Sequence, residues 1–324
     1  MISSKTLKEC LEAYSYDILL ELMRLKGIPE QRNLSRKELC GKIAEYMMQK
    51  AEMERYFLCL FDHEMEQLER NLSKDFEVGT REGSYEVPEL LCQSEYAFRF
   101  MDDTYDIERF WLPYDVAEAF WNMRSEHFTE KRKKQNHFLS CLMAVGTFYG
   151  QVPLDVIMPI MKMDVGEIVI RLLNLPREIN HYLVDGDYLY QCDLVNDDYG
   201  LSSEQKDVPY YIPSEDELAE LGRWGYLPSR MEMRTLVNYL VNEQKMEKES
   251  AEYAAMWVQK FVAADACMGD IYEYLWKFGA LKYGGIPQEL IELLKEFERN
   301  TRKLVYRGHT KTEISWEDKT KEEP

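Results

Sequence analysis

The chain has 324 residues, of which 45% are hydrophobic and 31% charged, and its formal net charge is -19. That length exceeds one ordinary core, and the apolar content excludes a disordered chain. The acidity works against bulk polyphosphate binding, because affinity for nucleic acid rests on neutralising backbone charge.

No run approaches the roughly twenty apolar residues that a membrane span needs. The opening MISSKTLKEC has no apolar core of a secretion signal. Cys10, Cys40, Cys59, Cys92, Cys141, Cys192 and Cys267 are scattered, and none lies at C-x-x-C spacing. Neither a disulfide framework nor a zinc site is expected, and free thiols point to a cytoplasmic setting. The charge is uneven. Asp185 to Glu220 holds eleven acids against Lys206 alone, whereas Met1 to Arg55 holds ten basic and nine acidic residues.

In chain order, Leu7, Leu11, Ile18, Leu22 and Leu25 approximate one apolar helical face, stopped by Gly27 and Pro29. Ser35 and Glu38 then form an S-x-x-E capping box ahead of Leu39, Ile43 and Met47. The segment LMRLKGIPEQRNLSRKELCGKIAEYM thus reads as helix, extended basic loop, capped helix. It resembles the small helix–loop–helix modules of the SAP and Rho-termination-factor N-terminal type. In those families the loop and second helix contact nucleic acid, which the resemblance carries to Lys26, Arg32, Arg36, Lys37 and Lys42. The plainer account is a helical hairpin with a solvated charged face.

Next come an aromatic hairpin at Phe98 to Leu112 and a helix opened by Pro113. The stretches QNHFLSCLMAVGTFYG, VPLDVIMPIMKM and DVGEIVIRLLNLP predict three helices, the first broken at Gly150 and the third ended by Pro176. A second hairpin follows, with Tyr182, Val184, Tyr188 and Tyr190 around the turn Asp185–Gly186. Three helices and then a hairpin is the order of a winged helix-turn-helix. An earlier copy would use Tyr56 to Leu72, Tyr85 to Cys92 and the Phe98 hairpin. PYYIPSEDELAEL and ALKYGGIPQELIELLKEF each repeat a strand, proline, helix order. From Met231 to Arg299 the pattern is purely helical, and residues 315–324 are polar and read as frayed.

Both expected wings present acids, Asp102, Asp103 and Asp106 in one and Asp185 and Asp187 in the other. DVGEIVIRLLNLP offers only Arg171 and Asn174 to a base edge, so these units are read as packing on protein. His63, His127, His137, His181 and His309 show no metal-ligand spacing. Asp62, His63 and Glu66, and likewise Asp193, Asp197 and Asp198, read as solvated faces sooner than as cation sites. No nucleophile, base and orienter come together, so no catalytic residue, cofactor or metal is assigned.

The string ERNTRKLVYRGHTKTEI places Arg299, Arg302, Lys303, Arg307 and Lys311 against Glu298 alone in its first fourteen residues. It resembles an N-x-T-R…R-G-H-T segment of poorly characterised Firmicutes proteins with Rho-N-like N-termini, often carrying zinc-binding SEC-C tails. No cysteine follows Cys267, so no metal module is carried over. Within the string, Thr310 with Glu313 three residues on has the spacing to cap a short helix. Two readings compete for the string: a closing strap that answers acids of the chain itself, or an anion or partner contact by Arg302, Arg307 and His309.

The expected fold is mainly α, a multi-domain helical protein with two winged-helix-like units containing small β-hairpins. The expected divisions are 1–51, 52–130, 131–225, 226–314 and a disordered tail at 315–324. The expected function is a non-enzymatic regulatory protein that binds a protein partner, with local nucleic-acid contact through the N-terminal module and no membrane. The alternatives are a direct nucleic-acid binder and a metal-dependent hydrolase.

Overall fold

Two hydroxyl caps divide the opening apolar pattern. Thr6 accepts from the Glu9 amide in a capping box, opening α1 (Leu7–Leu11), and Ser15 accepts from Ile18 to open α2 (Tyr16–Leu25). The restart at Ser15 resets the helical phase. Leu19, Leu22 and Met23 are therefore buried beside Leu7 and Leu11, while Ile18 and Leu25, expected on that face, are exposed. Gly27, at φ +68°, ends α2 in a turn closed by the Ile28 amide on the Met23 carbonyl.

The computed structural model describes residues 5–29, 34–73, 89–102, 107–194, 205, 207–281 and 285–314. It is mainly helical with small antiparallel sheets. Its contacts fall into two compact units, Met1–Asn136 with Arg171–Asn180, and His137–Ile170 with His181–Pro324.

In the first unit the Ser35–Glu38 capping box opens α3 (Arg36–Met47) as expected. It is followed by α4 (Lys50–Phe57), α5 (Asp62–Ser73) and α6 (Glu89–Gln93). The stretch Tyr56 to Leu72, assigned to the earlier copy, is divided between two helices by a break at 58–61, and the expected start at Tyr85 lies outside the described residues. Strands β1 (Phe98–Asp102) and β2 (Ile107–Trp111) pair antiparallel from Phe98↔Trp111 to Asp102↔Ile107. Asp103 and Asp106 of that turn lie outside the described residues. Pro113 then caps α7 (Tyr114–Met123). The core gathers Leu39, Ile43, Met47, Tyr56, Phe57, Tyr96 and Phe120. Phe57 stacks on Phe120 at 5.1 Å, and the Tyr96 hydroxyl donates to the Met47 carbonyl at 2.6 Å.

The long helix α8 (Glu126–Ala144) ends in a π-turn at Val145–Tyr149, and Gly150 takes φ +67°. In the second unit a short β3 (Gln151–Pro153) follows, which sequence reasoning missed, and Pro153 caps α9 (Leu154–Met161). After α10 (Val165–Asn174), β4 (Tyr182–Asp185) and β5 (Tyr188–Gln191) form the expected hairpin, with Gly186 at φ +56°. The sheet order is β3-β5-β4, antiparallel throughout. No strand forms at Tyr210 and Tyr211, where one was expected. The Tyr211 amide instead makes a single bond to the Arg307 carbonyl.

The Ser214–Glu217 capping box opens α11 (Glu215–Trp224). The helical stretch then comprises α12 (Met231–Asn242), α13 (Lys248–Ala263), α14 (Met268–Lys277) and α15 (Gln288–Asn300). Ala251, Ala254 and Ala255 are fully buried against Leu236, Leu240, Leu290, Leu294 and Phe297. The small side chains let these helix backbones approach closely. Among the described residues no helix is long and apolar enough to cross a membrane.

Candidate functional site

The sequence-derived basic residues fare differently in the first unit. Lys26 is buried, its ammonium donating to the Tyr56 hydroxyl at 2.6 Å and to Glu178 at 3.3 Å, and lying 4.0 Å from the Tyr56 ring centre. Burial pulls its pKa below the usual lysine value, with Glu178 opposing the shift. Lys26 therefore leaves the outward-facing set: it is a core group, because the C-cap position after α2 turns inward before Gly27. Arg36 and Lys37 are exposed in the first turn of α3, and Arg36 donates to the Glu12 carbonyl. Lys42 is half-buried on the same helix, and Arg32 lies outside the described residues. In the short basic run KRKK, Lys131 to Lys134, Lys131 pairs with Glu54 at 2.6 Å, and Arg132 pairs with Asp62 and donates to the Leu60 carbonyl.

The acidic clusters disperse. Asp62 is committed to Arg132, and Asp193 pairs with His181 at 3.1 Å. Asp197 and Asp198 lie outside the described residues. Among the described residues no group of three His, Cys, Asp or Glu side chains is arranged to hold a metal ion. Cys141 comes within 3.8 Å of His137 Nε2, but burial pushes its thiol up to about 12, which is opposite to an activated nucleophile.

The C-terminal string forms a dense polar site in the second unit. After Thr301 ends α15, the chain reverses, and Arg302 and Thr310 form an antiparallel bridge. The reversal is built from a 3₁₀ turn at Leu304–Tyr306, Arg307 at φ +51° and Gly308 at φ +86°. Thr310 and Glu313 then exchange bonds as a capping box for one helical turn at 311–314, as expected.

Arg302, only 7% exposed, donates through Nε to Glu217 at 3.1 Å and through Nη1 to Glu313 at 3.1 Å and the Gly308 carbonyl at 3.0 Å. Its guanidinium lies 3.4 Å from the centre of the Tyr211 ring. Lys303 is buried between Asp265 at 2.7 Å and Glu298 at 2.6 Å. Arg307 donates to the Val208 carbonyl at 2.8 Å and reaches Asp207 at 3.3 Å, and His309 Nε2 lies 3.1 Å from the Pro209 carbonyl oxygen. These cations answer the chain's own acids. The residues that complete the site, Glu217, Tyr211 and Asp265, were not picked out from sequence. The S-x-x-E spacing of Ser214 and Glu217 was readable, but nothing local says that Glu217 also neutralises an arginine 85 positions away.

The electrostatics follow from this geometry. Burial alone would raise the Glu217 carboxyl, yet the Tyr211 hydroxyl, the Ser214 amide and Arg302 hold it below its ordinary value. Glu298 is likewise raised by burial but brought below its usual value by Lys303 and Lys311. Lys303 is held above its usual value by Asp265 and Glu298, against its own desolvation. A depressed carboxyl stabilises the fold above its unfolded pKa, and that contribution is lost as pH falls through the folded value. We expect the thermal midpoint to fall as pH drops below about 4.5, and Glu298→Gln to flatten the acid limb. An acid limb unchanged by that substitution contradicts the assignment.

A cleft of about 850 Å³ opens beside the strap, lined by Tyr211, Arg230, Met231, Glu232, Glu296, Asn300, His309, Thr310, Thr312 and Glu313. A second groove of about 530 Å³ runs along α9 and α11 past Pro159, Ile160, Ile212 and Leu218. Compared with known proteins, the chain matches no family model, no curated protein and no solved structure.

Proposed function

We propose that this chain is a non-enzymatic regulatory protein whose acidic surface receives a protein partner of basic character, with local nucleic-acid contact limited to Arg36, Lys37 and Lys42. The observation that carries this reading is the internal neutralisation of the strap, where Arg302, Lys303 and Arg307 are held by Glu217, Glu313, Asp265, Glu298 and Asp207. With those cations spent inside, a chain of net charge -19 has little left to offer a phosphate backbone. The tip of the β4–β5 hairpin supports the same reading. Leu183 and Tyr188 are exposed beside Asp185 and Asp187, an apolar and acidic combination suited to protein and unsuited to DNA.

The finer architecture is part of this proposal. The order α8, β3, α9, α10, β4, β5 and the sheet order β3-β5-β4 favour a winged-helix-like unit over 131–225, and β1–β2 with α5 and α6 favour a shorter one over 52–130. The helices of 1–51 and 226–314 form the remaining divisions, the first of them SAP- or Rho-N-like. Seven free cysteines fit a reducing, cytoplasmic setting.

Fluorescence anisotropy with a labelled DNA duplex and a labelled single-stranded RNA tests the reading. At about 0.15 M salt we expect no saturable binding of either. Tight binding that weakens steeply with salt and is lost in the Arg36→Glu, Lys37→Glu double variant would overturn it in favour of a direct nucleic-acid binder.

A further inference from the structure

We infer that the cleft beside the strap is a recognition site for a basic side chain, arginine or lysine, carried next to an apolar residue on a partner protein. The inference rests on the protein-partner reading and names where and how that partner is held.

The first argument is the cleft's wall. Glu232 stands in the first turn of α12 with its side chain only 10% exposed, and its ion pair, to Arg230 Nε, is stretched to 4.0 Å. Arg230 is also shared with Glu217 at 3.4 Å. A carboxylate so enclosed is costly to keep ionised: burial raises its pKa above the ordinary value, although its own backbone amide, Arg230 and Arg302 all favour the charged form. The cost is recovered when a cation enters and donates hydrogen bonds to it.

The second argument is the balance of charge around the opening. Glu232, Glu296 and Glu313 line it, with Glu217 immediately behind. Against these four carboxylates stand Arg230 and the enclosed Arg302. Arg299 reaches Glu296 only at 3.7 Å, and both of those side chains are largely exposed. Four acids thus stand against three arginines, with the His309 ring 3.4 Å from Glu313. An anion would meet Glu296 and Glu313 at the mouth, whereas a guanidinium or ammonium meets acceptors on both sides.

The third argument is the rim. Met231 is 77% exposed and lines the same cleft as Tyr211. A flexible thioether at an opening is a platform for an apolar neighbour of the entering residue. A volume of about 850 Å³ accommodates a short peptide segment.

The test uses the full chain and a fluorescein-labelled peptide alternating leucine and arginine, with a twin in which citrulline replaces every arginine. Citrulline keeps the shape and removes the charge. We expect the arginine peptide to bind, and the citrulline twin and the Glu232→Gln variant each to weaken binding by about tenfold or more. Glu289→Gln, which makes the same change in net charge at an exposed site on α15, should leave affinity within about twofold. Thermal midpoints verify that the variants fold. Equal weakening by Glu232→Gln and Glu289→Gln, or an arginine peptide indifferent to both, would overturn the cleft while leaving the basic-partner reading intact. Tight salt-dependent DNA or RNA binding sinks that reading instead, whatever the peptide does.

Discussion

Arg302→Ala is expected to be the most damaging single substitution in the second unit, lowering its stability by about 3–5 kcal/mol. The reason is not the lost attraction alone. Glu217, with its side chain 11% exposed, stays behind in a site shaped around a guanidinium, and the Tyr211 ring loses the group stacked on it. Removing the arginine leaves that buried carboxylate with Arg230 at 3.4 Å as its remaining cation, and an under-compensated buried charge costs more than the pair gained on forming. Scanning fluorimetry would show a fall of about 6–20 °C in the thermal midpoint. The Arg302→Ala, Glu217→Ala double variant should be less unstable than the sum of its singles, because it removes the under-compensated charge along with its partner. A midpoint within about 2 °C of the parent would mean that the strap is decorative.

Gly308→Ala is the second. Gly308 sits at φ +86°, and a Cβ there would lie 3.1 Å from Phe148 Cβ, Tyr149 Cε1 and Tyr211 Cβ. Two penalties combine: the left-handed backbone that a side chain resists, about 1–2 kcal/mol, and overpacking against three rigid neighbours, about 1–3 kcal/mol. Gly186 separates the two. It also has positive φ, at +56°, but nothing lies within 4 Å of its would-be Cβ. Gly186→Ala should therefore cost about 1 kcal/mol, well under the loss at Gly308. Equal losses from urea unfolding would show that backbone strain alone explains the strap's glycine.

Several parts of this architecture were legible because their physics is local. The Ser35–Glu38 and Thr310–Glu313 capping boxes, the Gly27 stop and the helices of Met231 to Arg299 depend on neighbours within a few positions. The Tyr182 to Tyr190 hairpin is of the same kind, with alternating side chains and a glycine where φ must be positive. The failures are equally instructive. The opening apolar face misread Ile18 and Leu25 because a cap at Ser15 resets the phase, and periodicity summed across a break averages two helices. β3 was missed because three residues carry no period of their own and depend on pairing with β5. The strand expected at Tyr210 and Tyr211 did not form because its aromatics pack individually, Tyr211 against Arg302 and Tyr210 against Tyr149.

The candidate site divides the same way. That the C-terminal string carries five basic residues, and that its arginines would either meet the chain's own acids or face outward, was plain from the residues. Which alternative holds was not, because Arg302 and Glu217 are 85 positions apart and Lys303 and Asp265 are 38 apart. Lys26 shows the reverse error: a lysine in a basic run reads as a surface contact until its helix is seen to turn it onto Tyr56.

By itself the sequence determined a mainly helical chain with small hairpins, an acidic surplus, and the turns and caps that punctuate it. Propensity, capping and periodicity act over one or two turns of chain, and that is the range over which it can be read. Only the tertiary structure decided which charges cancel, which lysines are buried, and that Glu232 is enclosed in the wall of a cleft. Burial and ion pairing depend on what the fold brings within a few ångströms, and sequence separation does not encode that distance.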